Sequence, residues 1–235
     1  MVHPFSCRMW MLVVAAFSLV ASLATAATTA TPPTITLEKA VHFTADQTAI
    51  QEYQVFQTAG KPGPTRLYTP TRPGELVITE IMVDPSRVLD TAGEWFELFN
   101  ATKSDLELQG LVVTNEGTER FRISQSMVIP AGGFLIFGNN GDPKSNGGVP
   151  VAFVYTGFTL ANTGGAIVIQ NGATIIDSVR YDAKAFRLMS GRAASLDPRA
   201  FNATANDIGT NWCPATQLMP GGDYGTPGFM NPNCM

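Results

Sequence analysis

Short β-rich runs separated by turn residues make up the chain from residue 75 onward, and they limit the fold more than any other feature. The runs are rich in Val, Ile, Leu and Phe, and Gly, Pro, Asn and Asp stand between them. This spacing is typical of a β-sandwich or a β-barrel. The sequence therefore predicts an all-β domain, with strands over residues 76–83, 94–100, 111–114, 120–123, 134–137, 151–155, 166–170 and 173–180.

The clearest junction between two predicted strands is the pair Asn171-Gly172. It separates residues 166–170 from residues 173–180, and both runs are apolar and β-branched. An Asn-Gly pair is typical of a type I′ turn, in which both central residues take a positive φ. We therefore predict a β-hairpin with Asn171 and Gly172 as its two central residues.

The strand predicted over residues 94–100 has large apolar side chains on both faces. Period-two alternation places Trp95, Glu97 and Phe99 on one face, and Phe96 and Leu98 on the other. Such a strand belongs in the interior of a sheet. A buried free charge is costly, so we expect Glu97 to reach backbone donors or an arginine, or to lie at the margin of the core.

Residues 1–26 have the pattern of a secretory signal peptide. Arg8 precedes an apolar stretch over residues 10–23, and Ala24-Thr25-Ala26 forms the small-x-small end. The alternative is a membrane anchor, but this stretch is shorter than the roughly 20 residues that span a bilayer. Lipid attachment is disfavoured because Cys7 lies before the apolar stretch. We predict cleavage between Ala26 and Ala27, and a secreted or extracytoplasmic protein in the periplasm or at the cell surface.

Two cysteines, Cys213 and Cys234, remain after the predicted cleavage. Disulfides form and persist in the oxidising space outside the cytoplasm. We therefore predict a Cys213–Cys234 disulfide; two unpaired thiols are the alternative.

Residues 27–73 are rich in Thr, Ala, Pro and Gly and predict a linker or a loosely attached arm before a domain over residues 74–235. Residues 34–44 could form one edge strand, and residues 45–57 a short helix or strand. His42, the one histidine left after cleavage, lies in this arm. We expect neither histidine catalysis nor a zinc site, because both need more ligands or partners than this chain offers.

The charge balance disfavours nucleic acid as a partner. The chain has 15 Lys and Arg against 19 Asp and Glu, for a formal net charge of -4. It contains no basic run of five, so it lacks the concentrated positive charge that phosphate backbones require. We expect no cofactor.

Five carboxylates, Glu80, Asp84, Asp90, Glu94 and Glu97, lie close together in the sequence. They could form an acid/base pair or a calcium site. A structural interpretation is stronger, because Asp84 precedes a proline as in a turn, and Glu94 and Glu97 belong to a strand motif.

The loop over residues 139–148 offers oxygen ligands from Asn140, Asp142 and Asn146. It lacks the terminal bidentate glutamate of a calcium loop and contains a proline. We interpret it as an ordinary mobile loop, and we expect no metal site in the protein.

Ordered blocks of residues resemble a known family. Residues 75–85 and then 94–100, which read E-W-F-E-L-F-N from Glu94, resemble the opening of a lamin-tail domain. Further blocks resemble the same family in its own order, over residues 105–113, 129–137, 191–196, 211–212 and 225–231. The chain departs from the pattern at Leu111, where the family has tryptophan, at Asp197-Pro198-Arg199, and in a long loop over residues 138–148.

The resemblance implies an immunoglobulin-like β-sandwich, found in nuclear intermediate filaments and in secreted bacterial proteins. The chain has no coiled-coil rod and carries an export signal, so it resembles the secreted bacterial type. Such domains are generally regarded as binding or tethering modules.

We therefore expect a secreted, non-catalytic protein that recognises a protein or a cell-envelope polymer through loops at the end of the sandwich or an exposed strand edge. One alternative is a carboxylate-dependent hydrolase or a calcium-dependent carbohydrate-binding module that uses Asp84, Asp90 and Glu94. Another is a structural component of the envelope.

Overall fold

The structure, a computed structural model, describes residues 67–235 and two short strands before them, β1 (Ala40–Val41) and β2 (Glu52–Tyr53). These two strands pair antiparallel. They fall within the predicted segments 34–44 and 45–57. The predicted signal peptide, its cleavage site between Ala26 and Ala27, and His42 lie outside the described residues.

Residues 67–235 contain two sheets. The strands, in chain order, are β3 (Leu76–Met82), β4 (Trp95–Asn100), β5 (Leu106–Glu107), β6 (Val112–Thr114), β7 (Arg120–Arg122), β8 (Val128–Ile129), β9 (Phe134–Gly138), β10 (Phe153–Val154), β11 (Gly164–Asn171), β12 (Thr174–Asp182), β13 (Ala194–Leu196) and β14 (Trp212–Pro214). One sheet has the order β10-β9-β4-β3-β13-β14, and the other has the order β12-β11-β6-β7. Strands β5 and β8 form a separate ribbon, and one short helix, α1 (Asp90–Gly93), precedes β4.

The two sheets pack face to face around one apolar core. The core includes Ile78, Phe96 and Leu98 from the six-stranded sheet and Val113 and Ile167 from the four-stranded sheet, all fully buried. Burial of each side chain of this size contributes about 1.5–3 kcal/mol to the free energy of unfolding. The predicted all-β sandwich is therefore confirmed.

Strand β4 lies in the interior of its sheet, between β9 and β3, as its two apolar faces predicted. Phe96 and Leu98 face the core between the sheets. Trp95 faces the other side, where it joins a second apolar cluster with Met82 and Ile136. All seven residues of β3 are buried for the same reason, because both faces of this sheet are covered.

Residues next to β13 and after β14 cover part of the outer face of the six-stranded sheet. Ala193, Ala215 and Met219 pack in the cluster around Trp95. A Cβ atom at Gly225 would lie only 3.1 Å from Cζ2 of Trp95, so glycine lets the backbone pass close over the indole ring. These contacts make the C-terminal residues part of the domain.

The hairpin between β11 and β12 is confirmed, but its turn lies one residue later than predicted. Asn171 pairs with Thr174, so the central residues are Gly172 and Ala173. Gly172 has a φ of +57°, whereas Ala173 avoids the left-handed region. Glycine at the first central position is the pattern of a type II′ turn, and the predicted type I′ turn at Asn171-Gly172 is wrong.

The end of the predicted arm contacts the domain. Tyr68 forms a β-bridge with Leu106, and its hydroxyl donates a hydrogen bond to Glu75. The backbone N–H groups of Thr71 and Arg72 also donate to Glu75. The packed unit therefore begins before residue 74.

A disulfide joins Cys213 on β14 to Cys234, as the sequence predicted. It closes a loop with a sequence separation of 21 and ties the chain end to the edge of the six-stranded sheet. In the part of the chain that the structure describes, no helix has the length and apolar character needed to cross a membrane.

Candidate functional site

Buried acidic side chains are the main electrostatic feature of the domain. Residues 67–235 contain 16 Asp and Glu and 11 Lys and Arg. None of these 11 cations is buried, whereas seven of the acids are: Glu75, Glu80, Glu94, Glu97, Asp177, Asp197 and Asp223. Removing seven from 16 leaves nine acids against 11 cations at the surface. Two of these cations, Arg72 and Arg199, pair with the buried acids Glu75 and Asp197, so the remaining surface charges are nearly balanced, although the net charge of the sequence is negative.

Two of the predicted carboxylates, Glu80 and Glu97, lie opposite each other on β3 and β4. A β-bulge at Thr79 sets this register, and the Thr79 hydroxyl donates to Glu97 Oε1 at 2.7 Å. The backbone N–H of Gly228 donates to Glu97 Oε2 at 2.7 Å, and that of Thr226 donates to Glu80 at 3.0 Å. Glu97 thus reaches a backbone donor, one of the environments expected for it.

The environment of this pair favours protonated carboxyl groups. Burial raises the pKa of Glu80 to about 7. Burial and the charge of Glu80 raise the pKa of Glu97 well above its usual range. Hydrogen bonds from hydroxyl and backbone N–H donors, such as the Ser195 hydroxyl on Glu80, lower both pKa values but do not outweigh burial. Both side chains are fully buried, and their hydrogen bonds with Thr226 and Gly228 attach the C-terminal segment to the sheet.

Asp177 forms a second buried polar contact. Its Oδ2 accepts hydrogen bonds from Ile78 N at 2.6 Å and from Asn206 Nδ2 at 2.8 Å. Asp177 Oδ1 and Asn206 Oδ1 are both buried without a donor. Burial raises the pKa of Asp177 to about 7. Protonation of Asp177 would add a donor to a contact in which two buried oxygens have none.

The remaining predicted carboxylates contact other parts of the domain, and Asp90 Oδ2 accepts a hydrogen bond from Asn162 Nδ2 at 3.0 Å. Burial and the nearby charges of Asp90 and Glu119 raise the pKa of Glu94 to about 7, and Leu160 N donates to it at 3.1 Å. Asp84 holds another segment, because its backbone carbonyl accepts a hydrogen bond from Gly191. Within residues 67–235, no group of three or more His, Cys, Asp or Glu side chains is arranged to hold a metal ion.

The loop over residues 139–148 is closed by its own side chains. Asn146 is buried and donates to the carbonyl groups of Asn140 and Val149. Asp142 accepts a hydrogen bond from Lys144 N at 3.0 Å. Asn140 Oδ1 accepts from Asp142 N and Asn146 Oδ1 accepts from Val149 N, so the oxygens that suggested a calcium loop accept hydrogen bonds from nearby backbone N–H groups.

Two further buried acids form ion pairs at the rim of the domain. Burial opposes ionisation of Glu75, but hydrogen bonds from Thr71, Arg72 and Tyr68 outweigh it and lower its pKa. Arg199 lies 2.6 Å from Asp197 and lowers the pKa of that carboxyl. Asp197 also accepts a hydrogen bond from Cys234 N, so this pair positions the disulfide.

The outer face of the four-stranded sheet is the accessible candidate site. On β7, Arg120 and Arg122 point away from the core while Phe121 points into it. On β12, Arg180 lies on the same outer side and pairs with Glu116. The sequence patterns did not single out this face, because its three arginines lie on two strands, β7 and β12, that are distant in the chain.

Comparison with known families agrees with the fold. Residues 69–183 match the family model of the Lamin Tail Domain, which is an immunoglobulin-like domain. A search of curated proteins finds no match. Strands β13 and β14 lie after the matched region, yet they extend its six-stranded sheet. The region over residues 69–183 is therefore a lamin tail domain, and this confirms the family that its sequence motifs predicted.

Proposed function

We propose that this protein is exported and acts as a non-catalytic binding or tethering module for a protein or a polymer of the cell envelope. The main support is the burial of two acidic side chains. The carboxylates most suited to chemistry, Glu80 and Glu97, are sealed beneath Thr226 and Gly228 and attach one part of the fold to another. Their contribution is therefore structural, and the exposed surface is left for recognition.

The surface and the covalent structure support the same function. The cations lie outside and many of the acids lie inside, so the sheet face with Arg120 and Arg122 is available for contact. The Cys213–Cys234 disulfide is of the kind that persists in oxidising compartments. Together with the predicted signal peptide, it favours a site of action outside the cytoplasm.

Co-sedimentation tests this proposal. The chain, purified after export, is mixed with isolated cell envelopes and with insoluble envelope polysaccharide, and the bound fraction is measured. We expect saturable binding by the native chain, and none by an unrelated exported protein of similar size. Binding that persists after detergent extraction of the envelopes indicates a structural envelope component instead of a reversible tether.

A carboxylate-dependent hydrolase or calcium-binding module is the second candidate, because the pKa of Glu94 is raised to about 7 beside Asp90. Hydrolase and nuclease assays on the same preparation separate the two functions. Turnover that is lost in Glu94→Gln but kept in the exposed control Asp142→Asn supports the second candidate and contradicts ours. Tight calcium binding in calorimetry, with a large thermal shift, also supports it.

A further inference from the structure

The outer face of the four-stranded sheet carries two arginines that are free of salt bridges within residues 67–235. Arg120 and Arg122 are exposed and lie two residues apart on β7. Alternate residues of a strand project from one face at a spacing of about 7 Å. Strand β7 is the edge strand and both side chains are exposed, although Arg122 Nη1 also donates to the Gly110 carbonyl at 2.9 Å. The two side chains therefore form a short cationic row along one edge of the sheet.

The side chains beside this row are uncharged, and they include Gln170, which lies opposite Val112. The register places Thr114 beside Arg120, and Val112 beside Arg122. Further across the sheet, Val168 lies beside Thr114. An aromatic platform, on which neutral sugar rings usually stack, is absent from this face in the described part of the chain. Charge is therefore the main means of recognition that the face offers.

The third arginine of the face already binds a carboxylate. Arg180 Nε donates to Glu116 Oε2 at 2.7 Å, and its Nη2 donates to Glu116 Oε1. This fork-to-fork arrangement matches guanidinium to carboxylate geometry. Glu116 has a φ of 66° and lies in the connection between β6 and β7. The pair is an internal example of how a ligand carboxylate fits an arginine on this surface.

We propose that the row formed by Arg120 and Arg122 binds an anionic polysaccharide with repeating carboxylate groups. This inference rests on the proposed binding function and names the class of partner. Two free cations are few for a nucleic acid duplex, which binds proteins through many phosphate contacts. They suit a polymer that presents single carboxylates along a flat, extended chain.

The test compares a polyuronate with its neutral ester. Binding of the whole exported chain to polygalacturonate is measured at low salt and at 0.3 M salt. Methyl-esterified polygalacturonate has the same backbone without the charge and serves as the ligand control. We expect binding to polygalacturonate that falls steeply with salt, and little binding to the ester.

A double variant locates the site. Arg120→Gln combined with Arg122→Gln removes two exposed charges, and we expect it to weaken polygalacturonate binding by at least about tenfold. Lys103→Gln combined with Lys144→Gln removes the same charge from exposed positions on other parts of the surface, and we expect it to bind as the parent does. Melting temperatures show whether both variants remain folded.

Several results would overturn this inference. Equal weakening by both double variants indicates nonspecific attraction, and equal binding of the ester excludes recognition of charge. Tighter binding to duplex DNA or polyphosphate assigns the row to another class of ligand. If the chain sediments with envelopes but not with polygalacturonate, the tethering function stands and this inference fails. If it binds neither, both proposals fail.

Discussion

Glu80 and Glu97 occupy directly opposite positions on β3 and β4, with the C-terminal segment hydrogen-bonded to both of them. Asn231 completes the attachment by donating to the backbone carbonyl groups of Thr79 and Leu196. The stability of the domain is therefore linked to the protonation of a pair that has no neighbouring cation among its hydrogen-bond partners.

We predict that the domain is most stable at mildly acidic pH. The pKa values of Glu80 and Asp177 are raised to about 7, so the folded state holds protons that the unfolded chain has lost above about pH 4.5. Stability then falls as pH rises from about 4.5 through 7. At the acid end, the pKa values of Glu75 and Asp197 are lowered, and their stabilising contacts are lost as pH falls below about 4.

Calorimetry over pH 3–9 measures this dependence. We expect a maximum melting temperature near pH 4.5–5 and a loss of stability on the order of a few kcal/mol by pH 8. A melting temperature that stays constant or rises between pH 5 and 8 contradicts the prediction.

We predict that Glu97→Gln reduces the loss of stability at alkaline pH. The amide keeps an acceptor for Gly228 N and gains a donor for the Thr79 hydroxyl, but it cannot ionise beside Glu80. The variant should match the parent near pH 5 and melt at a higher temperature at pH 8. Asp142→Asn, at an exposed site, is the control and should leave the pH profile unchanged. Equal profiles for Glu97→Gln and the parent would argue against the role of this pair.

A separate prediction concerns Asp177. In Asp177→Asn, the amide oxygen can accept from Ile78 N and Asn206 Nδ2, while the new Nδ2 donates to Asn206 Oδ1. We expect this variant to be as stable as the parent at pH 5 and more stable at pH 8. Asp177→Leu removes the acceptor of Ile78 N and one of the two acceptors of Asn206 Nδ2, and should cost about 1–3 kcal/mol or more. Urea unfolding at both pH values measures the difference, and a destabilised Asp177→Asn at pH 8 is the contrary outcome.

Local patterns predicted the centre of the sandwich well. The alternation in β4 placed Phe96 and Leu98 on the core face and Trp95 on the other, because each face of the sheet packs against a different apolar cluster. Strands β6 and β7, each three residues long, lie within the predicted runs 111–114 and 120–123. In contrast, β5, β8, β10, β13 and β14 did not match predicted strands of the same length, because two or three residues are too few for alternation alone to mark the bounds of a strand. Of these five, β10 was predicted as a longer strand and the other four were not predicted.

The buried polar contacts could not be predicted because they depend on register and on distant loops. Strict alternation from Ile78 places Glu80 on the core face, whereas the bulge at Thr79 turns it to the outer face beside Glu97. Asp177 contacts Asn206, which lies 29 residues away in the chain. The Asn-Gly motif indicated the hairpin, but pairing outside the turn determined which residues occupy its centre.

The final prediction concerns the disulfide. Removing it with Cys213→Ser and Cys234→Ser should lower stability by roughly 3 kcal/mol, since the loop that it closes is about 20 residues long. The hydrogen bonds of Thr226 and Asn231 remain, so we expect the sandwich to fold while the last residues detach more often.

Limited proteolysis with chymotrypsin measures that detachment. Phe229 is exposed, and cleavage after it should be faster in the double variant than in the parent, while cleavage within β3 and β4 should stay slow. The parent treated with reductant should behave as the variant does, and the parent treated with oxidised buffer alone is the control. Equal cleavage at Phe229 in all samples would show that the hydrogen bonds alone hold the C-terminal segment in place.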